Sequence, residues 1–196
     1  KDNPLPETVY DIDENNVLQG FKDGIDLSQY YGICDTMEIP ARVTSVAAGA
    51  FDGKIPSFIT KLTFGENSNC SIIYQNAFHL WNSLISVDLL QATKLTCIGS
   101  TVSGGGAFGI CVNLISVKLP SSLNTIGQYT FSECTSLNNI TWNGWKGNTI
   151  FGVNVFNIVP SIGTVTVTNP IDTAHNSAAL LAYLKTNGLP NAWTVA

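Results

Sequence analysis

A motif of three residues, apolar then polar then apolar, recurs along the chain as Met37-Glu38-Ile39, Leu62-Thr63-Phe64, Val87-Asp88-Leu89, Val117-Lys118-Leu119, Ile140-Thr141-Trp142 and Val165-Thr166-Val167. The triplets end at 39, 64, 89, 119, 142 and 167, giving steps of 25, 25, 30, 23 and 25. A unit of that size has too little interior to fold alone, and two apolar residues per triplet bury no face by themselves. Stacking solves both problems. Equivalent triplets pair as parallel strands about 4.8 Å apart, and their apolar positions line up as columns of one core. The repeat therefore predicts a solenoid of about six coils with short parallel strands.

A second apolar anchor follows each of the first five triplets, at Val46, Ile73, Ile98, Ile126 and Ile150. A small residue and a phenylalanine come next, as Ala50-Phe51, Ala77-Phe78, Ala107-Phe108 and Thr130-Phe131. The phenylalanine lies five residues after its anchor, except in the third coil, where the gap is ten. The five extra residues fall within Ser100 to Gly106, which holds Ser103-Gly104-Gly105-Gly106 and should bulge outward as a loop. Phe51, Phe78, Phe108 and Phe131 are expected to form one buried ladder. Pro40 and Pro120, each directly after a triplet, suit a strand end, because proline has no N–H for the ladder.

The unit resembles the BspA-like leucine-rich repeats of bacterial and some protozoan surface proteins. Its best copy is Leu114-Ile-Ser-Val-Lys-Leu-Pro-Ser-Ser-Leu-Asn-Thr-Ile-Gly-Gln-Tyr-Thr-Phe-Ser-Glu-Cys134, and the likeness covers Tyr30 to Trp142 before fading toward the end. The resemblance implies a leucine-rich-repeat-like, right-handed β-solenoid. It also implies an exported protein, extracellular or held at a microbial surface, that is bacterial and non-catalytic and serves adhesion or protein binding. The chain starts at Lys1 rather than methionine, so an export signal or anchor would lie outside it.

A solenoid exposes an apolar cross-section at each end, so its termini should differ from its repeats. Residues 1–29 read as an N-terminal cap in which Tyr10 to Leu18 forms a hairpin around Glu14-Asn15-Asn16. Residues 30–170 read as the solenoid. Residues 171–196 read as a helical cap, with a helix from Ala174 to Asn187 that begins near Asp172 or Thr173, buries Leu180, Leu181 and Leu184, and stops at Gly188 and Pro190. Trp193 is expected to pack beside that helix.

Composition excludes several partners. Only nine residues are Lys or Arg and the net charge is -5, so no basic stripe offers itself to nucleic acid or an anionic membrane. Apolar runs are broken by Asn, Gly, Ser or Thr long before the ~20 residues that span a bilayer. Charged residues make up only 12%, which leaves a neutral, hydrogen-bonding surface. The chain is expected to be a monomer. Cys34, Cys70, Cys97, Cys111 and Cys134 form no C-x-x-C pair. Cys111 and Cys134 each precede an equivalent Leu by three, which suits small buried residues stacked in the core; a disulfide between neighbouring coils is the alternative.

Other motifs fall short of chemistry. Asp11-x-Asp13-x-Asn15 opens like a calcium loop, but Asn16 stands where a glycine is needed and Lys22 where a glutamate is, so a solvated turn is expected and no metal. No Lys-Ser/Thr follows the glycine run to hold a phosphate, and no cofactor is implied. His79 and His175 should lie several coils apart with no shared nucleophile, and the sparse acids are concentrated before residue 40, with only Asp88 in a mid-solenoid strand, so no catalysis is expected. Trp81, Trp142 and Trp145 would serve a carbohydrate-binding module if exposed, although Trp142 sits at an inward position.

Side-chain alternation along a strand defines one outward sheet face. It holds Thr36 and Glu38, Lys61 and Thr63, Ser86 and Asp88, Ser116 and Lys118, Asn139 and Thr141, and Thr164 and Thr166. Glu38, Lys61, Asp88 and Lys118 are the candidate recognition strip for a protein partner. The alternative is a rigid spacer that holds another domain of a longer chain away from the cell.

Overall fold

A computed structural model describes residues 2–196 as a parallel β-solenoid with one helix near its C-terminus. The six triplets form strands β3 (Thr36–Ile39), β5 (Lys61–Phe64), β7 (Ser86–Asp88), β9 (Ser116–Leu119), β11 (Asn139–Asn143) and β13 (Thr164–Thr168). All are parallel and in register, so that Ile140, for example, sits between Val117 and Val165. The triplet ends point inward and are buried. This wide sheet carries a strand that the repeat did not predict. After the helix the chain returns as β14 (Thr194–Val195) and pairs with β13, where Trp193 lies buried.

A second, narrower sheet joins the anchors as β4 (Ser45–Val46), β6 (Ile72–Ile73), β8 (Cys97–Ile98), β10 (Thr125–Ile126) and β12 (Ile150–Phe151). Its register corrects one expectation. Ile126 pairs with Phe151 rather than Ile150, whose side chain is 62% exposed. Counting five residues from Phe151 reaches Phe156, preceded by buried Val155, so the fifth coil keeps the small-residue-plus-Phe signature that Ile150 had hidden.

The phenylalanines form the expected ladder. Phe51, Phe78, Phe108, Phe131 and Phe156 stack with successive centroid separations of 5.6, 5.3, 5.8 and 6.1 Å and planes tilted by no more than 13°. At the N-terminal end, Phe21 meets Phe51 edge-on at 4.9 Å and continues the column into the cap.

Both ends are closed by departures from the repeat. The predicted hairpin is present as β1 (Tyr10–Ile12) and β2 (Val17–Phe21), with Asn16 at φ 60° in its turn. β2 then pairs with β4 and extends the narrow sheet. The wide sheet is covered separately: Pro4 bridges Thr36, and Leu5 donates its N–H to the Thr36 carbonyl at 2.9 Å.

At the other end the helix α1 (Ser177–Thr186) is shorter than expected. Asn176 is its N-cap, accepting from the Ala179 N–H, whereas Asp172 caps the turn before it through Ala174 and His175. His175 thus precedes the helix instead of opening it. Leu180 and Leu184 are buried and Leu181 is half-buried, and Gly188 at φ 98° ends the element.

A polar sheet face and the groove beside it

The wide sheet presents the outward residues in rows. Thr36, Lys61, Ser86, Ser116, Asn139 and Thr164 align on one row, and Glu38, Thr63, Asp88, Lys118, Thr141 and Thr166 on the next. Most are half-buried, and Glu38 and Lys118 are exposed. Thr36 departs from the expectation. It is 1% exposed, because the N-terminal segment at Pro4 and Leu5 lies across it.

Three of the four strip charges on this face are committed to ion pairs. Lys61 Nζ lies 2.7 Å from Asp2 and 3.1 Å from Asp35, both outside the strip, and so clamps the N-terminal segment to the first coils. Asp35 accepts from the Thr36 hydroxyl, the Asn3 N–H and Lys61, and these bonds hold its carboxyl down at about 2. Lys118 pairs with Asp88 at 3.1 Å, and Asp88 also accepts from the Leu90 N–H. Among the described residues only Glu38 of the four strip charges has no ion-pair partner.

Immediately before β5, β7, β9 and β11, one residue donates its N–H to the carbonyl of the preceding coil: Thr60 to Asp35, Ile85 to Thr60, Ile115 to Ile85, Asn138 to Ile115. This column forms the floor of a groove of about 1070 Å³ along the entry edge of the sheet. Its lining includes Thr60, Ile85, Ile115, Asn138, Ile162, Thr164 and Thr194, and no lining residue is charged. Ile85 and Ile115 are each 43% exposed and Ile162 is 67% exposed. Reading the strands alone missed this groove. Its signal was the isoleucine at one offset in two successive coils, at a place where the other coils carry Asp35, Thr60, Asn138 and Gly163.

The remaining candidates are structural. Trp81, Trp142 and Trp145 are all buried, so none of the three offers a sugar an exposed ring. The indole N–H groups of Trp81 and Trp142 donate to the carbonyls of Ile59 and Pro120. His79 pairs with Asp52 at 2.7 Å and His175 with Asp172 at 2.8 Å, and neither ring bonds to a hydroxyl or a thiol. All five cysteines are free thiols. Cys111 and Cys134 stack as expected, donating to the carbonyls of Phe78 and Phe108. Burial pushes the Cys70 and Cys134 thiols up to about 12, far from the thiolate a nucleophile needs. Asp13 spends its oxygens on the N–H groups of Asn15 and Val17 and on Gln19, as a turn-forming aspartate does.

Stacked ~25-residue coils, two parallel sheets and a continuous phenylalanine column define a leucine-rich-repeat solenoid. The chain belongs to the BspA type leucine rich repeat family, whose model matches six copies over residues 25–103 and 100–180, well past the Tyr30 to Trp142 stretch of strongest likeness. The fold is similar to the crystal structure of a leucine rich repeat protein of T. pallidum, at TM-score 0.51 and 18% identity over 94% of this chain and 96% of that one. A leucine rich cell surface protein from Faecalibacterium prausnitzii A2-165 is more distant, at TM-score 0.44 and 15% identity over 83% of this chain and 54% of that one. No curated protein sequence matches. Families of this kind are generally non-catalytic and bind proteins. Among the described residues no helix is long and apolar enough to cross a membrane.

Proposed function

We propose that this chain is a non-catalytic protein-binding module of an exported bacterial surface protein, and that it engages partners through the wide sheet and the adjoining groove. Residues 30–170 are the binding unit in this reading, residues 1–29 and 171–196 are its caps, and the module acts as a monomer. The observation that carries the reading is the uncharged groove with Ile85, Ile115 and Ile162 exposed along it, flanked by the polar rows of the sheet. Such a lining takes an apolar partner side chain between isoleucines and satisfies the partner's main chain through Thr and Asn.

The test is a panel of purified host matrix proteins together with a glycan array. A protein hit that is lost in Ile115→Asp, with the melting temperature held, supports the reading. Binding to none of the panel favours the spacer, to which the absence of exposed Trp or Arg from the sheet face already lends weight. A glycan hit insensitive to Ile115→Asp would also count against the groove.

A further inference from the structure

In the turn that follows the narrow sheet, the ladder phenylalanines lie between residues in the left-handed region, except Phe108, where only Ile110 is left-handed. Gly49 and Gly53 flank Phe51, Tyr129 and Glu133 flank Phe131, and Asn154 and Ile158 flank Phe156. This backbone sends three alternate N–H groups toward the next coil. Gly49, Phe51 and Gly53 donate to the carbonyls of Gln75, Ala77 and His79 at 3.0, 2.8 and 2.9 Å. Tyr129, Phe131 and Glu133 donate to Val153, Val155 and Asn157 at 3.0, 3.0 and 2.7 Å. The pattern holds in every coil apart from two rungs beside the glycine-rich insertion.

In the last coil the equivalent donors are Asn154, Phe156 and Ile158, and none has an acceptor among the described residues. The C-terminal cap closes other parts of the same end but not this one. The Tyr183 hydroxyl donates to the Thr149 carbonyl at 2.6 Å, standing in for a next-coil N–H, and β14 continues the wide sheet. In front of the three donors lies a groove of about 580 Å³, bounded on its far side by Thr186, Gly188 and Pro190. No charged residue lines it, and Val153 and Ile158, each 59% exposed, stand on its rim.

We propose that this groove binds an extended, uncharged peptide segment of a partner protein, whose alternate main-chain carbonyls accept from Asn154, Phe156 and Ile158 as one more rung of the ladder. Donors two residues apart along a chain present a row rather than a point. They match a row of carbonyls, as in every earlier coil, better than they match a single anion. The uncharged lining and apolar rim favour a neutral segment with an apolar side chain between Val153 and Ile158. The volume is within the range of pockets that enclose a ligand of a few residues. This site is separate from the wide sheet and its groove.

The test is amide-resolved NMR on the whole chain with an end-blocked peptide of sequence Tyr74–Leu80, which carries the three carbonyls that the first coil uses. Saturable shifts at the Asn154, Phe156 and Ile158 amides are expected, with half-saturation near ~1 mM for so few hydrogen bonds. Their hydrogen exchange should slow toward that of Tyr129, Phe131 and Glu133. Ile158→Asp should weaken the peptide about tenfold while the melting temperature holds. Shifts at these amides with inorganic phosphate but not with the peptide would overturn the proposal. So would peptide shifts confined to Ile85 and Ile115, or protection of the three amides without peptide that grows with protein concentration.

Discussion

At the residue scale the fold depends on columns, and a column fails where one member is cut. Phe131 is 1% exposed and sandwiched between Phe108 and Phe156, so Phe131→Ala opens a cavity that neighbouring coils cannot fill without leaving register. The expected loss is about 3 to 5 kcal/mol, read as a melting temperature lower by roughly 10 °C for a chain of this size. Tyr183 serves a subtler role. Its hydroxyl supplies the buried Thr149 carbonyl with the hydrogen bond that a next coil would have given. Tyr183→Phe keeps the ring and strands the carbonyl, so a loss of about 1 to 3 kcal/mol is expected in denaturant unfolding, and an unchanged midpoint would show that water takes over. Asp35 links the N-terminal clamp to pH. Its bonds with Thr36, Asn3 and Lys61 depress its folded-state value to about 2 from an ordinary 3.8, so the unfolded chain binds the proton more tightly. The stabilisation is complete above the unfolded value and disappears as pH falls through about 2. In Asp35→Asn the fall in melting temperature between pH 5 and pH 2 should be shallower than in the parent chain.

Elements show where sequence could speak and where it could not. Strands, anchors, ladder and hairpin were legible because each is repeated or alternates at a fixed offset, and repetition averages out local accidents. The anchor of the fifth coil was misplaced by one residue because Ile150 and Phe151 are both apolar, and only pairing with Ile126 decides which turns inward. The helix began three residues later than expected because Asp172, a plausible cap, is used by the preceding turn while Asn176 takes the cap position. β14 and the Pro4–Leu5 segment left no trace in the sequence, since a strand of two residues exists only because an unfilled sheet edge is waiting for it. The insertion can now be drawn more closely. The Ser100 carbonyl accepts from the Gln128 N–H, so Ser100 belongs to its coil and the extra residues are Thr101 to Gly105. Removing them leaves Gly106 two residues before Phe108, where other coils use the left-handed region that glycine enters freely. Deletion of 101–105 should fold, melt within a few degrees of the parent and gain hydrogen-exchange protection at the Asn76 amide, whose rung the insertion interrupts. A chain that fails to fold would mean that the loop is structural.

For the whole molecule, few charges and no exposed tryptophan make the wide sheet a surface of small polar groups. Tight interfaces are dominated by buried Trp, Tyr and Arg, so binding here should be weak per site, with strength coming from the groove isoleucines or from several copies acting together. The strip charges were legible as positions but not as partners. Only the structure reveals that Lys61 faces Asp2 and Asp35 while Lys118 faces Asp88. That pairing sharpens the test of the strip, because Asp88→Lys combined with Lys118→Asp inverts the pattern presented to a partner yet keeps an ion pair between β7 and β9. The exchange gives up the Leu90 N–H bond to Asp88, worth about 1 kcal/mol, so the melting temperature should fall by no more than about 4 °C. Against a partner found on the protein panel, affinity in this double variant should drop several-fold and the loss should shrink as salt rises, since exposed charges are screened within ~10 Å at 0.1 M. Affinity unchanged in the double variant but lost in Ile115→Asp would assign recognition to the groove alone.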